Sequence, residues 1–333
     1  LGPVFNGSSC GSCHSQGGLG GASEAFVTRF GRMRNGQFDP MSEFGGSLIQ
    51  AQGIGTAGTS ASCDYQAESV PPEATIVARR ITTPLFGLGL VDAVPDGAFE
   101  DIARGQRQLS PETAGKVNRV ANLVTGRTSV GKFGWKNQNP SLAQFSADAY
   151  LNEMGITSQL FPEENCPQGD CAKLVCDPIP GIEDQDGDAE LFTHFMTLLA
   201  PPARGPITRD VRSGELVFQA AGCASCHLPT LKTGPSSVKA LDRVEFHPYS
   251  DFLLHDMGSL GDGIEQGEAK GRDMRTAPLW GLRVRTRFLH DGRAGKLEDA
   301  IREHDGQGRR SRERFESLSR DQKSALLAFL SSL

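Results

Sequence analysis

The sequence predicts a mainly α-helical fold with extensive loops, divided into two domains. Apolar residues recur with helical spacing in several segments, whereas no segment shows a strong alternation of apolar and polar residues. The motif Cys-x-x-Cys-His occurs near the start of the chain and again in its second half. A length of 333 residues suits about two domains of ordinary size. We therefore expect each domain to contain one copy of the motif.

The sequence predicts long loops in the first part of the chain and helices further on. Residues 15–62 are rich in Gly, Ser and Gln and show little periodicity, which indicates long loops. The first predicted helix has Leu109 and Val117 on its apolar face. The predicted helices cover residues 97–124, 141–154, 184–199, 212–221 and 286–333, the last broken at residues 305–308.

The two Cys-x-x-Cys-His motifs indicate covalent haem. They comprise Cys10, Cys13 and His14, and Cys223, Cys226 and His227. In this motif each thiol forms a thioether to the porphyrin and the histidine binds the iron. A redox disulfide or half of a zinc site is the alternative for one copy, but no further Cys-x-x-Cys pair completes a zinc site. We predict two c-type haems, with His14 and His227 as their proximal ligands.

Each predicted domain is a c-type cytochrome domain that encloses one haem. We expect an N-terminal haem domain over residues 1–160 and a C-terminal haem domain over residues 186–333. Residues 161–185, rich in Cys and Pro, form the expected connector.

Four cysteines remain outside the haem motifs: Cys63, Cys166, Cys171 and Cys176. An even number in an oxidising compartment predicts two disulfides, with three pairings open. A redox dithiol is the alternative, but these cysteines lack the two-residue spacing of such centres.

The haem motifs also bear on where the protein works. Because c-type haem is attached outside the cytoplasm, we expect an exported, periplasmic protein. No signal segment is visible and only nine residues precede Cys10, so we expect the sequence to be part of a longer precursor. No apolar run has the length of a membrane span. A net charge of −6 with interspersed signs gives no indication of nucleic-acid binding.

Several stretches resemble the di-haem oxidoreductase family, whose relatives include bacterial di-haem cytochrome c peroxidase and the enzyme that matures methylamine dehydrogenase. The resemblance covers residues 1–6, 133–136 (Phe-Gly-Trp-Lys), 152–157, 222–230, 249–258 and 275–292, which end in Phe-Leu-His-Asp-Gly. It implies that electrons enter at the C-terminal haem and that peroxide meets the N-terminal haem. It also implies that Trp135 bridges the haems, that Glu153 is the acid over the peroxide, and that Thr276 and Pro278 contact a calcium ion.

The sixth ligand of each iron decides between electron transfer and catalysis. No histidine lies between His14 and His194, so the loop after the first motif cannot supply a second imidazole. We expect an open first haem, although a methionine could close it: Met33, Met41 or Met154.

For the second haem we predict His304. The resemblance places it where cytochrome c peroxidases have a methionine, so this sequence departs from that pattern. The alternatives are Met257, Met274, His255 and His290.

The expected function is a periplasmic peroxidase that reduces hydrogen peroxide. The electron donor would be a small protein, either a cytochrome c or a cupredoxin, or a quinol, and the chain could form a homodimer. Two alternatives stay open: an electron-transfer cytochrome with both irons six-coordinate, and an oxidase of an organic or protein substrate.

Overall fold

The structure, a computed structural model, describes residues 1–57 and 63–333 and is less helical than the sequence predicts. Helical turns of all kinds account for 35% of it, and many short strands accompany them. Within the described residues the α-helices are α1 (Cys10–Cys13), α2 (Leu88–Asp92), α3 (Asp96–Leu109), α4 (Leu142–Met154), α5 (Asp188–Leu198), α6 (Arg209–Ala220), α7 (Leu297–Arg302), α8 (Arg309–Ser317) and α9 (Arg320–Leu330).

The strands are short and pair antiparallel. They are β1 (Val4–Phe5), β2 (Phe26–Arg34), β3 (Gln37–Asp39), β4 (Gln52–Gly53), β5 (Gly55–Thr56), β6 (Asp64–Tyr65), β7 (Ile76–Ile81), β8 (Arg119–Asn122), β9 (Arg127–Val130), β10 (Leu231–Lys232), β11 (Glu245–Phe246), β12 (Leu254–Asp256) and β13 (Asp273–Arg275). The largest sheet has three strands in the order β3-β2-β7, and the other strands form two-stranded ladders.

The sheet β3-β2-β7 corrects the prediction of loops over residues 15–62. Strand β2 has nine residues and pairs with β7, so that Phe26 lies opposite Ile81 and Gly31 opposite Ile76. The strand was not recognisable from its own sequence because its partner lies some fifty residues further on. Residues 58–62 of the predicted loop region lie outside the described residues.

The helix predicted over residues 97–124 is half right. Helix α3 ends at Leu109, whose side chain is 86% exposed rather than buried. Residues 119–130 instead form the hairpin β8–β9. The Asn122 side chain accepts hydrogen bonds from the backbone N–H groups of Val124 and Thr125, and Gly126 adopts a φ of +67°. Such a turn, together with β-branched valines, favours a hairpin over a helix.

The remaining predicted helices are present, with shifted ends. Helix α4 begins after Ser141, whose side chain caps the Gln144 N–H, and ends at Gly155 in the left-handed region. Helix α9 begins with a capping box between Ser319 and Gln322. Helices α7, α8 and α9 lie within residues 297–330, and a 3₁₀ turn at Gly306–Gly308 forms the predicted break. Residues 286–296 form no α-helix, so the prediction was wrong there.

Helices α6 and α9 pack closely in the C-terminal half. A Cβ at Gly214 of α6 would overlap the backbone carbonyl of Ala325, so only glycine allows this approach. The rings of Phe218 and Phe329 pack nearby at a tilt of 55°, with their centres 5.2 Å apart. Helix α6 ends directly before the second Cys-x-x-Cys-His motif, so this packing lies next to the motif.

The buried apolar residues do not separate cleanly at the predicted connector. One core cluster contains Phe99 and Phe133 together with Met196, Phe252 and Trp280. The division into two haem domains, 1–160 and 186–333, joined by the connector 161–185, thus stays a prediction. Within the part of the chain that the structure describes, no helix is long and apolar enough to cross a bilayer.

Two disulfides form, as the sequence predicts. They join Cys63 to Cys176 and Cys166 to Cys171. The first closes a large loop of the chain, because its cysteines lie 113 residues apart. It ties the end of the connector to the N-terminal half.

A buried ionic cluster connects distant parts of the chain. Asp262 accepts a hydrogen bond from Arg80 Nε (2.7 Å) and one from Lys136 Nζ (3.0 Å), and all three side chains are at most 3% exposed. Lys136 Nζ also donates to the backbone carbonyls of Lys270, Gly271 and Asp273. Burial alone would raise the pKa of Asp262, but the two cations lower it below its usual value. Asp262 therefore stays ionised between two buried cations.

We expect the Asp262→Asn variant to lose about 3–5 kcal/mol of unfolding free energy, because it leaves two buried cations without their counter-charge. The loss is measured by denaturant unfolding near pH 7. Since the folded pKa of Asp262 is lowered, its contribution is present above the unfolded pKa and disappears as the pH falls.

Asp101→Asn is the matched control. Asp101 pairs with Arg104 on the exposed face of α3, with a side chain 67% exposed. Removal of this ion pair is expected to lower the free energy of unfolding by less than about 1 kcal/mol. An equal decrease in unfolding free energy for both variants would contradict the expected stabilisation by the buried cluster.

Candidate active site

Each Cys-x-x-Cys-His motif lies at the wall of a cavity. Cys10, Cys13 and His14 line the N-terminal cavity, together with residues of β2, β7 and α4. Cys223, Cys226 and His227 line the C-terminal cavity, together with several residues of the segment 274–290 and of helices α7 and α9. The four motif cysteines are free thiols, as attachment of a porphyrin requires.

The two motif histidines are held in the same way. His14 Nδ1 donates to the Gly21 carbonyl (3.1 Å) and His227 Nδ1 donates to the Tyr249 carbonyl (2.9 Å). Such a bond fixes the tautomer and leaves the Nε2 lone pair for a metal. Burial lowers the pKa of both imidazoles to about 4, so both are neutral at physiological pH. Neutral imidazole is the form that binds iron.

His304 faces His227 across the C-terminal cavity. Its Nδ1 donates to the Ala300 carbonyl at 2.8 Å, and its ring centre lies 6.4 Å from that of His227. With metal–nitrogen bonds of about 2.0 Å, two imidazoles on opposite sides of one metal have ring centres roughly 6 Å apart. The separation of His227 and His304 is the one that a shared iron needs.

The other histidines are less suited to bind this iron. His255 has both ring nitrogens engaged, one by Asp251 (3.0 Å) and one by the Cys226 sulfur (3.5 Å). Burial alone would lower its pKa, but these contacts together raise it well above the usual value. His290 packs edge-on against Trp135, with ring centres 6.2 Å apart. His194 and His247 lie on the surface.

Three of the five methionines considered as iron ligands line a cavity, and two do not. Met257 and Met274 line the C-terminal cavity beside His304. Met154 lines the N-terminal cavity. Met33 is half exposed, and Met41 is buried in a separate cluster with Phe30 and Ile49.

The N-terminal cavity contains acidic groups instead of a second imidazole. Among the described residues that line it, His14 is the one histidine, and both Asp148 and Glu153 are present. Burial raises the pKa of Glu153 to about 7, although Arg29 and a contact with Asn6 oppose the increase. Glu153 can therefore exchange a proton near neutral pH.

Trp135 lies between the cavities and lines both. Its indole Nε1 donates to the Ile81 carbonyl (2.9 Å), and its own carbonyl accepts from Arg275 N (2.9 Å). These bonds fix the ring in a position that touches both cavities.

The charged groups that line the cavities suit the propionates of haem. Of the described residues, no Asp or Glu lines the C-terminal cavity, whereas Arg275, Arg285 and Arg312 do. In the N-terminal cavity Arg80 Nη2 and Arg29 Nε are buried without a hydrogen-bond partner in the described structure. Haem propionates are anionic acceptors that would satisfy such donors. His14 and His227, with their neighbouring thiols, are the residues that would hold the two haems.

The predicted calcium contacts lie beside the C-terminal cavity. The Thr276 carbonyl already accepts hydrogen bonds from Ser250 Oγ (2.7 Å) and Arg275 Nη1 (3.3 Å). Pro278 lines the cavity. No cluster of three or more metal-binding side chains occurs in residues 1–57 and 63–333. Calcium at Thr276 would displace these bonds, and it stays a prediction.

A comparison of the sequence with models of protein families identifies the family. The family described as "Di-haem oxidoreductase, putative peroxidase" matches residues 61–333. The chain belongs to the di-haem oxidoreductase family. The match begins after the first haem motif, so Cys10, Cys13 and His14 lie outside it. No curated protein matches the chain.

Two solved structures resemble this di-haem oxidoreductase distantly. A MauG-like protein associated with microbial copper homeostasis is 16% identical, with a TM-score of 0.37 over 75% of this chain and 89% of its own. A hydrazine synthase of Kuenenia stuttgartiensis is also 16% identical, with a TM-score of 0.30 over 44% of this chain. The chain spans 55% of that hydrazine synthase chain. At these scores we take nothing about function from either protein.

Sequence reasoning missed the buried charged residues of the site. Arg29, Arg80, Asp148 and Arg285 carry no motif, and each reaches its cavity only through the tertiary fold. The alternating run Arg283, Arg285, Arg287 gives no sign that its middle member alone points inward.

We expect the His304→Ala variant to convert the second haem from low-spin to high-spin, because removal of a sixth imidazole leaves the iron five-coordinate. Added imidazole should restore the low-spin spectrum, which absorption and EPR spectroscopy measure. His194→Ala, on the surface of α5, is the control and should leave both spectra unchanged. An unchanged low-spin signal in His304→Ala would show that another residue, such as Met257, is the ligand.

Proposed function

We propose that this di-haem oxidoreductase is an exported peroxidase that reduces hydrogen peroxide in the N-terminal cavity. The observation that carries the proposal is a half-buried carboxyl, Glu153, in the same cavity as His14 and with a pKa raised to about 7. Bound haem would supply one iron that binds peroxide and a second that stores an electron. One hydrogen peroxide, two electrons and two protons yield two waters.

The role of Glu153 is to move a proton between the two oxygens of peroxide. Its carboxylate takes the proton from one oxygen and delivers it to the other, so that water rather than hydroxide leaves. Desolvation by the surrounding protein brings the pKa of this carboxyl close to the working pH. Asp148 is also half-buried, has its pKa raised by desolvation, and lies in the same cavity, where its charge raises the pKa of Glu153 further.

Electrons enter through the C-terminal cavity in this proposal. His227 and His304 hold the haem there, and Trp135 provides the connection to the N-terminal cavity because its ring lines both. The donor is a small redox protein, a cytochrome c or a cupredoxin, or a quinol. The thioether chemistry expected of the two motifs supports a periplasmic location for this reaction.

A pure electron-transfer cytochrome is the second candidate. The observation in its favour is Met154, which lines the N-terminal cavity and could close the open position of that iron. A six-coordinate first haem could not bind peroxide.

Glu153→Gln should lower kcat/KM for peroxide by about 10²–10⁴-fold, the usual contribution of a general acid–base group. In the unaltered protein the ionised carboxylate is the active form, so kcat/KM should rise as the pH increases through about 7. This limb should be missing from the variant profile. Stopped-flow assays with peroxide and a reduced donor measure both effects.

Glu163→Gln is the matched control, because Glu163 is an exposed residue of the connector. It should leave the rate and the pH profile unchanged. A Glu153→Gln variant with full activity and the same pH limb would contradict the assigned role.

The resting ferric protein should show one high-spin and one low-spin EPR signal, since only the C-terminal cavity offers two facing imidazoles among the described residues. Met154→Leu should leave this spectrum unchanged. Two low-spin signals, one of which becomes high-spin in Met154→Leu, would support the electron-transfer cytochrome instead.

A further inference from the structure

The guanidinium groups of Arg275 and Arg285 lie at the junction between the cavities, and among the described residues neither has a carboxylate partner. Arg275 and Arg285 both line the C-terminal cavity and also a small neighbouring cavity that Trp135 shares. Arg275 donates to two backbone carbonyls, those of Gly134 (2.8 Å) and Thr276 (3.3 Å). Arg285 Nε and Nη2 are buried and have no hydrogen-bond partner in the described residues.

This arrangement is costly for the protein chain alone. Burial lowers the pKa of both guanidiniums to about 10, and Arg285 contributes to the lowering at Arg275. Both remain cationic at neutral pH. An uncompensated buried charge destabilises a fold by several kcal/mol, and two like charges together increase the penalty. A fold that retains such a pair is expected to place an anion against it.

The described residues do not supply this anion. Neither the C-terminal cavity nor the small neighbouring cavity is lined by an Asp or a Glu of the described chain. The third guanidinium of the C-terminal cavity, Arg312, already has Asp305 within 3.9 Å. The anion must therefore come from a molecule that enters the cavity.

Arg285 is the inward member of an alternating run. Arg283 is exposed and donates to the Ala203 carbonyl (2.8 Å), and Arg287 is exposed with Glu24 at 3.8 Å. Arg285 instead lies against the ring of Phe288, with 5.9 Å between its guanidinium carbon and the ring centre. The chain thus offers a control residue two positions away.

We propose that Arg275 and Arg285 bind a propionate carboxylate of the haem in the C-terminal cavity, next to Trp135, and thereby raise the midpoint potential of that haem. Two cations against one carboxylate leave a net positive charge, which favours the reduced iron. The effect opposes the low potential that two imidazole ligands give. It rests on the presence of the haem and not on the peroxide reaction.

The test compares Arg285→Met with Arg287→Met, both loaded with haem. An EPR-monitored redox titration follows the ferric signal of each haem separately, and resonance Raman spectroscopy reports the propionate bending bands. In Arg285→Met we expect a lower midpoint potential for the low-spin haem only, together with shifted propionate bands. Arg287→Met should match the unaltered protein in both measurements. Arg285→Lys, which keeps the charge, should recover most of the potential.

Three results would overturn the proposal. One is an Arg285→Met protein with unaltered potentials and Raman bands. Another is a change confined to the high-spin haem, which would assign the propionate to the other cavity. The third is an equal change in Arg287→Met, which would indicate a general effect of surface charge. None of these readouts requires turnover, so a failed peroxide assay would leave the assignment of Arg285 intact.

Discussion

The ion pairs of Asp262 with Arg80 and Lys136 hold the centre of the molecule together. Arg80 precedes Ile81, whose carbonyl accepts the indole N–H of Trp135, and Trp135 in turn precedes Lys136. Arg80 and Lys136 are thus each adjacent in sequence to one partner of the hydrogen bond between Trp135 and Ile81. Asp262 anchors them to the C-terminal half of the chain. The position of Trp135 between the cavities therefore depends on a buried charge cluster, one member of which, Arg80, also lines the N-terminal cavity.

Charge also explains why these cavities suit haem rather than an apolar ligand. The C-terminal cavity has mostly apolar walls, yet its charged lining in the described residues is cationic. An apolar occupant would leave Arg275 and Arg285 buried without counter-charge, which is the unfavourable case for a buried ion. A porphyrin with apolar faces and anionic propionates satisfies both requirements. The free chain is accordingly expected to be less stable than the chain with bound haem.

The sequence identifies the chemistry of the site better than its surroundings. The Cys-x-x-Cys-His motifs, the two disulfides and helix α4 follow from local spacing, composition and capping, and the structure contains them. His304 could be selected as a candidate because the family resemblance matches it to a ligand position, although only the structure shows how close its ring lies to that of His227. Strand β2 and the inward orientation of Arg285 depend on partners far along the chain, so local pattern could not reveal them.

The two cavities differ in what they place opposite the motif histidine. Opposite His227 is a second imidazole, and no acid of the described chain lines that cavity, which suits an iron that only gains and loses electrons. In the cavity of His14 there are two half-buried carboxyls and no second imidazole among the described residues, which suits an iron whose substrate must also receive protons. In the proposed function, electron storage and proton transfer are thus separated in space, and Trp135 lines both cavities. Exchange of these linings would place the carboxyls beside the imidazoles of His227 and His304, so the proposed direction of electron flow rests on which cavity carries the carboxyls.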